Sequence, residues 1–155
     1  MSLDDLAVLL SRCALVLLFL PFSALDKLLN FRGAVTQAKQ AVAMPALAGA
    51  MVLLGLATEV LCSLSLLTGV ADRLGAVVLA GYCAVTALLF KRFWAAPDFR
   101  LRGPSQGRDV FWDFLKNIAL AGALVALALS GGVGLRGLLA DPLSSTHPYQ
   151  HRTLP

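Results

Sequence analysis

Polar and apolar positions along this chain separate into long blocks. Continuous apolar stretches rich in Leu and Ala cover 6–25, 46–70, 74–90 and 118–135, and the only charges inside them are Arg12 and Glu59. Each block is close to the roughly 20 residues a helix needs to cross a hydrocarbon layer about 30 Å thick. The pattern predicts an all-α integral membrane bundle of four transmembrane helices over 1–135, with a C-terminal tail over 136–155. A membrane barrel is excluded, because its strands would be shorter and would alternate in polarity. The first block is expected to stay as a helix rather than act as a cleaved signal. The residues ahead of it, Asp4 and Asp5 among them, are acidic, and Arg12 interrupts the apolar run.

The connections differ in character. The first, 28–44, places Phe31, Val35, Ala38 and Val42 near helical spacing among Arg32, Gln37, Lys39 and Gln40. It reads either as a short amphipathic helix on the membrane surface or as a polar turn, with Pro45 opening the second crossing. The second connection is a minimal hairpin, with Gly69 a plausible helix C-cap. The third, 91–117, holds Phe93, Trp94, Phe99, Phe111, Trp112 and Phe114 among basic residues. Rings and snorkelling cations suit an interfacial loop, whose Phe93, Trp94, Phe111 and Trp112 are candidates for a partner surface as well as for anchoring. Pro97 and Arg102-Gly103-Pro104 argue against one continuous helix there.

Composition agrees with the pattern. The 155 residues are 58% hydrophobic and 14% charged, against roughly 45–50% and about 25% for a soluble domain, which excludes a water-soluble globule and a disordered tail. The formal net charge of +4 is mainly a topology signal. Lys27, Arg32, Lys39, Lys91, Arg92, Arg100, Arg102, Arg108 and Lys116 lie in or beside the first and third connections. The positive-inside tendency therefore predicts loops 26–45 and 91–117 in the cytoplasm, both termini outside, and a bacterial-type inner membrane location. No nucleic-acid partner is needed to explain the charge.

Charge inside the blocks is where function is sought, because an ionised side chain at mid-membrane costs at least about 2.5–3.5 kcal/mol and normally finds a partner. Arg12 and Glu59 would lie roughly 9 and 17 Å from the outer end, within an arginine's reach. Such a pair would either clamp the helices or serve an anionic or quinone-like ligand or a proton path. Cys13, Cys62 and Cys83 form no CxxC and are expected to behave as small hydrophobes, although Cys13 and Cys62 share a depth at which they could meet. His147 and His151 stand four apart, but Pro148 disfavours a helix across them, so no metal site is expected. Ala76, Ala80 and Ala84, and Ala119, Gly122, Ala123 and Ala126, have the spacing of close helix contacts. Nucleotide, phosphate-loop, metalloprotease and haem patterns are missing, so no cofactor is evident.

In order along the chain come Arg12, the run Ser23-Ala24-Leu25-Asp26-Lys27-Leu28 with Phe31 after it, Glu59, Thr68-Gly69, Asp72-Arg73-Leu74, Phe93-Trp94 and Phe114-Leu115-Lys116-Asn117. This series resembles the DoxX family of small membrane proteins over about 7–134; the tail and the long third connection depart from it. The resemblance implies a four-helix inner-membrane protein that serves as a membrane subunit or anchor of an oxidoreductase assembly linked to quinone. It implies Arg12, Glu59, Lys27, Lys116 and Asn117 as candidates for a ligand or proton path. Lipid and a protein partner subunit are the implied partners, with homo-oligomer formation left open and chemistry of its own left unassigned. The alternative is a structural or chaperone-like adaptor subunit without chemistry.

Overall fold

The computed structural model describes residues 3–149, in which there are helices and no strand. Helix α1 (Leu3–Val16) runs into a π-helical turn, Leu18–Ser23, and continues as α2 (Ala24–Leu29). The wide turn contains Pro21, whose missing N–H and bulky ring would otherwise break a regular helix. The crossing therefore extends to Leu29 rather than stopping near 25. Helix α3 (Phe31–Ala38) follows, so the first connection is a short amphipathic helix and not a polar turn. Its Ala38 packs with Ala48 and Val52 of α4 (Pro45–Thr68). Pro45 stands in the first turn of α4, where a proline sacrifices no hydrogen bond.

The hairpin to α5 (Asp72–Phe90) turns at Gly69, which takes the left-handed φ of +77° expected of a C-cap. A 3₁₀ turn, Phe93–Ala95, leads towards α6 (Gln106–Ala128), and a last short helix, α7 (Gly134–Ala140), precedes the tail. Among the described residues four stretches are long and apolar enough to cross a membrane: Asp5–Leu29, Pro45–Thr68, Asp72–Ala95 and Gln106–Ala128. The protein is thus a multi-pass four-helix membrane bundle. Helix α5 sits between α4 and α6, while α1 leans on α4. Val16, Phe19, Leu66, Leu79, Leu124 and Ala128 are in the core between them.

Two sequence expectations change. The fourth crossing begins at Gln106, well before 118, because its polar first turns are capped. Ser105 Oγ accepts from the Arg108 N–H at 3.1 Å, and the Asp98 carboxylate accepts from the N–H groups of Gln106 and Gly107 at 2.7 and 3.0 Å. The helix also stops at Ala128, where the Arg73 guanidinium donates to the carbonyls of Ala128 and Ser130 at 2.6 and 2.9 Å. The small-residue stripes divide as well. Ala76 and Ala80 are buried, but Ala119, Gly122, Ala123 and Ala126 lie on the exposed face of α6, and Leu124 and Ala128 take the inward positions. In an alanine-rich helix the same spacing recurs on every face.

The cap at α6 carries a pH prediction. The Gly107 and Gln106 N–H groups hold the Asp98 carboxyl below its ordinary value. A lowered folded-state value means the cap is in full force above the unfolded carboxylate range, about pH 4, and is lost as pH falls through the folded value. Amide protection at Gln106 and Gly107, corrected for intrinsic exchange, is expected to fall on acidification below about pH 4. In Asp98→Asn that acid dependence should vanish, and a wild-type dependence surviving in the variant would refute the assignment.

Candidate functional site

Two buried ionic assemblies occupy different depths of the bundle. At the end bearing the tail, Arg12 on α1 meets Asp72, the first residue of α5, at 2.7 Å, with side chains 4% and 0% exposed. The Arg12 guanidinium also donates to the Leu66 carbonyl and to Thr146 Oγ. Thr146 closes the assembly from the tail: its hydroxyl donates to Asp72 Oδ2 and its N–H to Asp72 Oδ1 at 2.8 Å. Beside it Tyr149 donates to the Leu67 carbonyl. Pro148 packs so closely over Gly69 that a Cβ there would stand 2.8 Å from the proline ring.

The second assembly lies deeper. Glu59 on α4 is 1% exposed, and its Oε1 accepts three hydrogen bonds, from Lys27 Nζ at 2.7 Å, Ser23 Oγ at 2.8 Å and the Tyr82 hydroxyl at 3.0 Å. Lys27 also donates to Ser23 Oγ at 2.6 Å and lies 5.9 Å from the centre of the Tyr82 ring. Ser23 closes the π-helical turn and Lys27 follows four residues on in α2, so both point to one side. Gly55, one turn before Glu59, leaves room for Tyr82: a Cβ there would approach the hydroxyl to 3.2 Å. Glu59 Oε2 is buried without a hydrogen-bond partner.

Lys27, Ser23 and Tyr82 border a cavity of about 430 Å³ between α3, α4, α5 and the middle of α6. Its walls are mostly apolar, with Met51, Val52, Leu54, Val78, Val85 and Leu89 among them, while Gln37, Thr58, Thr86, Lys91 and Asn117 add polar groups. Lys91 also pairs with Asp113 at 3.0 Å. Leu54 and Val85 are exposed on the outside of the bundle, so the cavity wall there faces the lipid.

The expected Arg12 to Glu59 pair does not form. Glu59 lies two turns deeper along α4 than Leu66, whose carbonyl Arg12 reaches, a separation of roughly 10 Å. Arg12 instead turns towards its own end of the bundle, where Asp72 waits, and Lys27 reaches Glu59 from the other end. Of the other candidates, Asn117 borders the cavity and Lys116 does not: it is 74% exposed and pairs with Asp113 at 3.3 Å. Phe93 stands at the centre of a ring cluster, with centroids of Trp94, Phe99, Phe111 and Phe114 at 4.9 to 5.6 Å. Trp94 and Trp112 remain more than half exposed on its outside. Cys13, Cys62 and Cys83 are free thiols, so Cys13 and Cys62 do not pair. No cluster of metal-ligating residues occurs among the described residues, and His151 lies outside them.

Sequence reasoning missed Asp72, Thr146, Ser23 and Tyr82. Asp72 stands just outside an apolar block, where it reads as a turn residue. Tyr82 carried a usable signal, as a phenol in the middle of an otherwise apolar helix, where its hydroxyl needs a partner.

The DoxX family model matches residues 7–92. That stretch runs from α1 to the end of α5 and contains Arg12, Ser23, Lys27, Glu59, Asp72 and Tyr82. The chain belongs to the DoxX family. No curated protein and no solved structure matches it. In this DoxX protein the matched region holds both ionic assemblies apart from Thr146 and most of the cavity wall. Helix α6, Asn117, the whole aromatic cluster and the tail that closes over Asp72 lie beyond it.

Proposed function

We propose that this DoxX protein is a membrane subunit of a redox assembly and that the cavity beside Glu59 receives a quinone headgroup. The observation that carries the reading is an apolar cavity of about 430 Å³ that ends on a buried, polar group of residues. The size falls within the roughly 300–1,000 Å³ of small-molecule sites, which are mostly apolar with a few placed polar groups. The residues suit a flat ring bearing carbonyl acceptors. An ammonium has three donors, and Lys27 spends two of them on Glu59 and Ser23, leaving one to offer a carbonyl. Asn117 Nδ2 bonds the Asp113 carbonyl and keeps a second N–H. Glu59 stands behind the lining residues Lys27, Ser23 and Tyr82, whose hydrogen bonds tie its carboxylate to the site. A quinone, when bound, supplies two-electron, two-proton carrier chemistry. The lipid-facing wall at Leu54 and Val85 offers an isoprenoid tail a way out.

The basic end with Lys27 and Lys91 is assigned to the cytoplasmic side of a bacterial-type inner membrane, with the termini opposite, on the bias of lysine and arginine. The aromatic cluster there, with Trp94 and Trp112 outward, is assigned to a protein partner subunit, since exposed aromatics are favoured at interfaces. That same cluster favours a second reading, an adaptor subunit with an empty cavity. Purification in mild detergent, with lipid extraction for quinone and identification of co-purifying proteins, separates the two. Retained quinone together with a redox partner is the expected result. A partner without quinone supports the adaptor, and a preparation lacking both defeats the proposal.

A further inference from the structure

Beyond the cavity, the inward face of α4 holds a second polar feature. Ser63 is fully buried, and its Oγ has no hydrogen-bond partner. Elsewhere in the helices Ser11, Thr36, Thr68 and Thr86 return their hydroxyl to the carbonyl four residues earlier; Ser63 does not. It lies one turn beyond Glu59, on the same face, so two unpartnered buried oxygens, Glu59 Oε2 and Ser63 Oγ, stand a turn apart. Each orphan costs about 1–3 kcal/mol, and the usual remedy is a buried water bridging such groups. The next turn brings the Leu66 carbonyl, Arg12, Asp72 and Thr146, at the tail end of the bundle.

We infer that Glu59 exchanges its proton with the tail end of the bundle, through buried water and the Ser63 hydroxyl. Oε1 already accepts three hydrogen bonds, from Lys27, Ser23 and Tyr82, which leaves Oε2 as the oxygen that binds the proton. From Oε2 the proton passes to the bridging water, that water releases one of its own protons to Ser63 Oγ, and Ser63 releases its original hydroxyl proton to a second buried water, which delivers one to the Asp72 carboxylate at the tail end. Each hop conserves charge along the file and needs no oxidant or reductant. The groups facing Glu59 from the packed elements are Lys27 and Ser23 on the first crossing and Tyr82 on α5, with Cys83 beside it. These define the loop-end side, and Ser63 continues the polar line towards the tail. The inference does not depend on which ligand the cavity takes.

The test is time-resolved infrared spectroscopy after a pH jump on the full chain in quinone-free lipid nanodiscs. The Glu59 carboxyl signal is identified by its loss in Glu59→Gln. In Ser63→Ala the response is expected to slow by at least about tenfold, with thermal unfolding unchanged, and Ser63→Thr, which keeps a hydroxyl, should restore the rate. An unchanged rate in Ser63→Ala, or a Glu59 signal that ignores the pH jump, would overturn the inference.

Discussion

Asp72→Ala is expected to lower the stability of the bundle by about 3–5 kcal/mol, the range found when one partner of a buried ion pair is removed. The loss has three parts on the same carboxylate. Arg12 keeps its burial but loses its counter-ion, and Thr146 loses acceptors for both its hydroxyl and its N–H. The Leu66 carbonyl, which remains bonded to Arg12, does not neutralise the guanidinium. The double variant Arg12→Met with Asp72→Ala should recover most of the loss, because a buried pair replaced by apolar groups is often neutral. Thermal unfolding of the parent and the two variants in one detergent measures this. A single variant less than about 1 kcal/mol below the parent would show that water reaches the assembly and that the pair is worth no more than a surface one.

The second large effect concerns Lys27→Met. Glu59 then keeps the Ser23 and Tyr82 hydroxyls but no cation, at 1% exposure. The expected destabilisation is about 2–3 kcal/mol, less than for a fully buried pair, since the Lys27 side chain retains 18% exposure. Adding Glu59→Gln removes the stranded charge and should restore stability. Ligand retention should not return, because the donor that Lys27 offers the cavity is still missing. A double variant that regains both stability and retained quinone would show that Lys27 serves only to neutralise Glu59. Loss of retention with stability restored is the signature of a binding residue.

Much of this architecture was legible from local pattern. Four crossings, the hairpin at Gly69 and the family were readable because hydrophobic length, a glycine that turns left-handed and short motifs are properties of neighbouring residues. Burial of Arg12 and Glu59 was equally readable, from the cost of placing a charge in lipid. The start of α6 was not, since Asp98 caps it from across a loop containing Gly103 and Pro104. The π-helical turn at Pro21, which precedes the Ser23 and Lys27 pair, was equally hidden.

The choice of partners for the buried charges is a different kind of fact. Arg12 and Glu59 each required a counter-ion, and the sequence by itself determined that need through the low dielectric of the membrane. It did not determine which counter-ion. Depth along the bundle, helix rotation and the return of the tail decided that Arg12 meets Asp72 under Thr146, and that Glu59 meets Lys27 under Tyr82. A helix's length follows from its own residues, whereas an ion pair forms only between groups that separate helices bring to within about 3 Å. That distance is set by how the helices pack.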